Sequence, residues 1–343
     1  MKQFLLMIVV VALVGSSTPL QAAEPPKDLL LAYYYPWYLQ GDWSRHSYTG
    51  TPVLGKYGTD SPKTAAQHIK WAADCGIDGF FVSWWGRGSL TDKHLKAGLL
   101  KASNIGDIKF AIYYEAFGVL DRIDGKKDSI VDFSKPAVIK RMIADFAIMK
   151  AQFFTHKSYL KIDDRPVVGL YVTRQFRHFK TAHIEALEKA LGTDVYLIAD
   201  EPFIVGRQRR PETAENSSGF DAYSAYNMFE NANIRDDDTA LSFIRREVMP
   251  VYRAWAKKKV LLPGFLPSYK DFRGNKMLPG NAVEFGKIIE LMKSLPYKSA
   301  GKEVDRIFLL TSFNEWWEGT TVEPAKEYGT RYLDVLRDAF GDK

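Results

Sequence analysis

Glu315 and Glu318 are the residues of this chain best equipped for chemistry. They stand in the run Asn314-Glu315-Trp316-Trp317-Glu318-Gly319-Thr320, directly after the apolar stretch that begins at Arg306. Two neighbouring carboxylates can divide labour. One protonates a leaving oxygen while the other works as base or nucleophile, which is the division of roles that breaks a glycosidic bond. The adjacent indoles serve such a pair in two ways. Their flat faces suit the C–H faces of a sugar ring, and they desolvate a carboxyl, raising its pKa toward the value an acid needs. In a continuing strand, residues three apart point to opposite faces. The two glutamates therefore share one site only if the backbone turns after Phe313, and Gly319, with no Cβ, is placed to help it turn.

Such a pair needs a scaffold that presents it. Short apolar runs bounded by turn signals give eight expected strands: Leu29–Tyr35, Gly79–Ser83, Lys109–Tyr114, Val167–Val172, Val195–Ala199, Ala222–Tyr226, Val260–Phe265 and Ile307–Ser312. Amphipathic, helix-like stretches separate most of them: Pro62–Cys75, Asp92–Ser103, Pro136–Phe154, Thr181–Leu191, Ala240–Lys257 and Asn281–Leu295, with Tyr328–Phe340 after the last strand. The connection Gly206–Gly219 does not read clearly as a helix. This alternation predicts an α/β fold, a single (β/α)8 TIM barrel with its active site at the C-terminal ends of the strands. A chain of 343 residues is of ordinary length for one such domain, and no internal repeat or linker argues for a second.

The residues just past each strand are then candidates for the site. Strand one leads into Tyr34, Tyr35 and Trp37, with His46 shortly after, strand two into Trp84 and Trp85, and strand three into Glu115. Strand five is followed by Asp200 and Glu201, strand six ends at Tyr226, strand seven leads to Tyr269, and strand eight to Asn314, Glu315, Trp317 and Glu318. We read Glu315 and Glu318 as catalytic and the aromatic and polar residues around them as substrate-binding. Asp200 and Glu201, or Glu115, remain alternative acids, and Asp200-Glu201 also reads as a loop that forms a salt bridge.

Composition narrows the other choices. Residues 1–22 read as a secretory signal peptide: Lys2, then the apolar run Phe4–Val14, then a cleavage site near Leu20-Gln21-Ala22. Residues 23–343 would form the catalytic barrel, exported to the periplasm or secreted. The apolar run is short for a bilayer span, so no membrane span is expected after cleavage. Cleavage removes Lys2 and no acid, leaving 46 basic and 41 acidic residues, a net +5. The cluster Arg207-Gln208-Arg209-Arg210 reads as a solvated loop, and no nucleic-acid motif is present. The single cysteine, Cys75, allows no internal disulfide and reads as a small buried apolar residue. The six histidines lack zinc-site spacing. A run starting at Asp236 places Glu247 twelfth, as in a calcium loop, but Ala240 and Leu241 stand where a ligand and a glycine are needed. Those acids fit a helix N-terminus better. There is no phosphate-cradling glycine loop and no G-x-S-x-G nucleophile turn. No metal and no cofactor is expected, and the partner is an oligo- or polysaccharide.

The run Asn314–Thr320 followed by Val322-Glu323-Pro324 resembles the signature of glycoside hydrolase family 99 and its relatives, which include endo-α-mannosidases and endo-α-1,2-mannanases. The resemblance extends to Tyr33-Tyr34-Tyr35-Pro36-Trp37-Tyr38, Val82-Ser83-Trp84-Trp85-Gly86, Phe220-Asp221 and Pro267-Ser268-Tyr269 with Asp271. It implies a metal-independent, retaining, endo-acting hydrolase. It also implies that Glu315 is the base that deprotonates the sugar's own 2-hydroxyl to give a 1,2-anhydro sugar, while Glu318 protonates the leaving group and later activates water. The residues themselves leave direct attack by a carboxylate open. Trp317 stands where the best-known mannosidases carry His. A second class of reading is a barrel that binds or processes an exported polysaccharide without hydrolysing it, since one fold hosts many functions.

Overall fold

The computed structural model describes residues 27–123, 130–202, 219–226, 228–229, 234–270 and 277–341. The expected signal peptide, the Arg207–Arg210 cluster and Asp271 lie outside the described residues. The described chain is built around eight parallel strands: β1 Asp28–Tyr34, β2 Gly79–Trp84, β3 Lys109–Tyr114, β4 Arg165–Leu170, β5 Tyr196–Asp200, β6 Ala222–Ser224, β7 Gly264–Phe265 and β8 Arg306–Leu310. They pair in the order β7-β8-β1-β2-β3-β4-β5-β6. A parallel bridge between Tyr223 and Leu261 joins β6 to the segment entering β7 and rounds off the barrel. First and last strands lie side by side, with Asp28 opposite Arg306 and Ala32 opposite Leu310.

The strands are buried almost throughout, as near-continuous apolar runs must be when helices cover one face and the barrel interior the other. Along β1 to β3 alternate residues point inward. Tyr33, Phe81 and Tyr113 meet inside, with ring centroids 4.8 to 5.5 Å apart. Gly169 on β4 makes this possible, because a Cβ there would come within 2.2 Å of the Phe81 ring. The helices begin where capping chemistry says they should. Ser61 accepts from Thr64 N and Pro62 occupies the first turn, Ser89 caps the helix Leu90–Ala97, and Asn281 caps Ala282–Lys293. The acids after Arg235 likewise precede a helix, with Thr239 as its cap and Asp238 bonded to Arg246.

Several element ends differ from the sequence expectation: β6 stops at Ser224 rather than Tyr226, β7 begins at Gly264 rather than Val260, and β8 stops at Leu310 rather than Ser312. β4 ends at Leu170 because Val172 sits in the left-handed region, φ 56°, an unusual conformation for a β-branched residue. The stretch Ala240–Lys257 is helical, but a single π turn at Ile244–Val248 divides it. Cys75 is fully buried at the end of the helix Pro62–Asp74, as its apolar reading required. No described helix is long and apolar enough to cross a membrane.

Candidate active site

The turn after β8 carries both glutamates to one place. It starts at Thr311, earlier than Phe313, and Ser312 organises it: its hydroxyl accepts from Glu315 N at 2.8 Å and pairs with the Thr320 hydroxyl at 2.9 Å. Gly319 takes φ 62°, the left-handed conformation that the expected turn called for. Asn314 fastens the turn to the start of the chain, accepting from Tyr35 N at 2.8 Å and donating to Tyr35 O at 3.1 Å.

Glu315 is 2% exposed. Its Oε1 accepts from Trp317 N at 2.8 Å and from the Tyr38 hydroxyl at 3.4 Å, and its Oε2 takes no hydrogen bond among the described residues. Burial, and next the charge of Glu318, hold its pKa well above the usual carboxylate range. Glu318 is half-buried, and its Oε2 accepts from the Tyr226 hydroxyl at 2.7 Å. A third carboxyl, Glu115, lies within electrostatic reach of both. Burial pushes it to about 8 against the opposing effect of the Ser83 hydroxyl, which donates to it at 2.6 Å. Tyr35 sits among all three, with Trp37 packed on its ring at 4.4 Å. Trp85 lies against Gly118, and its indole N–H is buried without a hydrogen-bond partner among the described residues. Exposed His46 meets Trp317 edge to face at 4.9 Å.

Three expected substrate contacts are corrected. Tyr34 and Trp84 are the last residues of β1 and β2 and point out of the barrel. Tyr34 is fully buried, bonded to His68 Nδ1 at 3.1 Å and stacked on Phe80; Trp84 donates to Asp92 at 3.0 Å and packs on Tyr114. Asn314 is fully buried and both ends of its amide are occupied by the Tyr35 backbone. Tyr269 is buried and stacked on Phe229 at 4.0 Å, beside a cavity of about 260 Å³ that it shares with Trp316 and Gly319. Of the alternative acids, Asp200 forms a buried ion pair with Arg174 at 2.9 Å and accepts from Val172 N at 3.1 Å. It braces the strand ends, as the salt-bridge reading of that loop holds. Glu201, buried beside Thr173 and Arg174, is pushed to about 8.

Sequence reasoning passed over the residues behind the turn. Glu323 is fully buried, and its carboxylate faces the Tyr57 hydroxyl at 2.7 Å, the Trp316 indole N–H at 3.0 Å and His68 Nε2 at 3.2 Å. Glu323 belongs to the motif, which was the available signal; nothing in the sequence marks Tyr57 or His68. Among the described residues, no group of three or more His, Cys, Asp or Glu could hold a metal ion.

Residues 40–336 match the model of a family described as glycosyltransferase WbsX. Among solved structures, the fold is similar to that of a GH99 endo-alpha-mannosidase from Bacteroides thetaiotaomicron, in complex with bis-tris-propane. The two are 18% identical with a TM-score of 0.64, over 93% of this chain and 98% of that one. It is also similar to a glycoside hydrolase-like protein at 19% identity and TM-score 0.69, covering 95% and 97% of the two chains. At these identities the likeness is one of fold: a glycoside hydrolase-like (β/α)8 barrel. No curated protein matches.

Proposed function

The chain belongs to the glycosyltransferase WbsX family, and from that premise and its hydrolase-like barrel we propose that it is an exported, endo-acting, retaining α-glycoside hydrolase. Its substrate is an α-mannan or a related α-linked polysaccharide. One observation carries the reading: Glu315 and Glu318 sit on one turn at the C-terminal mouth of the barrel, the first with one oxygen uncommitted among the described residues, the second beside the Tyr226 hydroxyl.

In this reading Glu315 Oε2 takes the proton of the sugar 2-hydroxyl. Its raised pKa suits the role, because a stronger base removes a proton from a weakly acidic alcohol more readily. The 2-oxygen attacks C1 as the C1–O bond to the leaving sugar breaks, and Glu318 gives that oxygen its proton. Glu318 then takes a proton from water, which opens the 1,2-anhydro ring at C1, and Glu315 returns its proton to the 2-oxygen. Two inversions give net retention. The Trp85 indole N–H would be satisfied by a sugar hydroxyl, and Tyr35 and Trp37 provide faces for a pyranose. Glu115, protonated near neutral pH, is suited to donate a hydrogen bond to the sugar.

The test is release of reducing ends from a panel of α-linked polysaccharides, with the anomeric configuration of the first product read by proton NMR. Retained configuration is expected, and inversion would end the two-step scheme. Activity should survive chelation. The family's description as a glycosyltransferase favours a second reading, in which the same pair passes the glycosyl group to a sugar hydroxyl instead of water. Chain-length redistribution without new reducing ends would select it.

A further inference from the structure

Tyr38 stands at the joint between the two halves of the turn. It is buried, 1% exposed, and its hydroxyl meets two groups with opposite demands: Trp316 N, a donor only, at 2.9 Å, and Glu315 Oε1 at 3.4 Å. The Trp37 indole N–H also approaches this hydroxyl without completing a hydrogen bond. A phenol has one proton to give. With its oxygen engaged by a backbone N–H, that proton has one hydrogen-bond partner among the described residues, Glu315 Oε1. Trp316 is itself fixed from behind, its indole N–H on Glu323 and its carbonyl on the Thr49 hydroxyl at 2.6 Å, so the N–H that orients Tyr38 cannot swing away.

We propose that Tyr38 is a positioning residue for the reaction, whose hydroxyl donates to Oε1 of Glu315 and so leaves Oε2 as the oxygen that takes the substrate proton. The inference rests on the reading of Glu315 as base. Burial and the charges of Glu318 and Glu115 disfavour the carboxylate form of Glu315, whereas Trp317 N–H and Tyr38 favour it. The other groups facing Glu315 are the phenols of Tyr35, Tyr48 and Tyr226. Tyr38 thus keeps a buried base ionisable and chooses which of its oxygens stays open.

The test is titration of Glu315 itself, followed by carbon NMR of protein labelled at the glutamate carboxyls, the Glu315 signal being identified by its loss in Glu315→Gln. Tyr38→Phe removes the donor and should raise the Glu315 midpoint by about half to one pH unit, since a hydrogen bond to a charge contributes on the order of 1 kcal/mol. Replacing Tyr38 by a ring-fluorinated tyrosine, a near-isosteric and stronger donor, should move the midpoint down. This second variant also carries the test if Tyr38→Phe does not fold. An unchanged midpoint in the folded variants, or an upward shift on fluorination, would overturn the proposal. No substrate is needed. If the midpoints move as expected and Glu315→Gln still turns over polysaccharide, the base assignment fails while the hydrogen-bond direction stands. If both readings hold, Tyr38→Phe also raises the acid limb of kcat/KM by the same shift.

Discussion

The turn after β8 has two sides, and they treat the same residue type in opposite ways. Behind it, Glu323 is fully buried and meets three polar partners, from Tyr57, Trp316 and His68. In front, Glu315 is almost as deeply buried but, among the described residues, has bonds on one oxygen only, and it faces two further carboxyls. A fully partnered buried carboxylate holds structure together; one left partly unpartnered among like charges is held in a state that favours proton exchange. One hydrogen bond separates the two carboxylates, three against two, and Trp316 joins the two sides, its indole N–H on Glu323 and its backbone N–H on Tyr38.

Breaking each side in turn should give opposite losses. Glu315→Gln and Glu318→Gln should each lower turnover by about 10²–10⁴-fold with the melting temperature preserved. Near-normal turnover in either variant would remove that residue from the chemistry. Glu323→Ala leaves three buried polar groups without their partner and should destabilise the fold by several kcal/mol, at about 1–3 kcal/mol for each, read by denaturant unfolding. A melting temperature unchanged there would mean that the back of the turn is not the anchor its bonds suggest. The paired tryptophans sharpen the contrast at the next strand. Trp84→Ala should cost about 3–5 kcal/mol of stability, whereas Trp85→Ala should raise KM or lower kcat with little change in melting temperature. The reverse pattern would exchange their roles.

The last comparison is a pH slope. Glu115 and Glu201 have folded-state values near 8 against an ordinary value of 4.5. The folded protein therefore binds more protons than the unfolded chain between those limits, and their contribution to stability, complete below about 4.5, is lost as pH rises toward 8. Glu115→Gln and Glu201→Gln should each flatten the fall of melting temperature over that window. An unaltered slope would show that these carboxyls are better solvated than their burial implies.

The barrel and the location of its mouth were legible because strands buried on both faces leave unbroken apolar runs, and the mouth follows from strand direction. The errors come from parity. Tyr34 and Tyr35, like Trp84 and Trp85, are neighbours in sequence, and alternation along a strand sends neighbouring side chains to opposite faces, so both members of a pair cannot line the mouth. Tyr34 and Trp84 are last within their strands and point outward; Tyr35 and Trp85 lie just beyond. Asn314 was misread because a polar residue in a motif can hold backbone as readily as substrate. The Glu323–His68 contact joins residues 255 positions apart in sequence, a separation no local pattern encodes.

The adjacency of β1 and β8 has a consequence in time. Tyr35 and Tyr38 emerge early in synthesis, and the Asn314 clamp and the two glutamates come near the end. Chains are made from the N-terminus onward at roughly 5–20 residues per second, so for most of its synthesis a nascent chain has the aromatic platform without the acids. The glutamate pair joins that platform only when the last strand closes against the first.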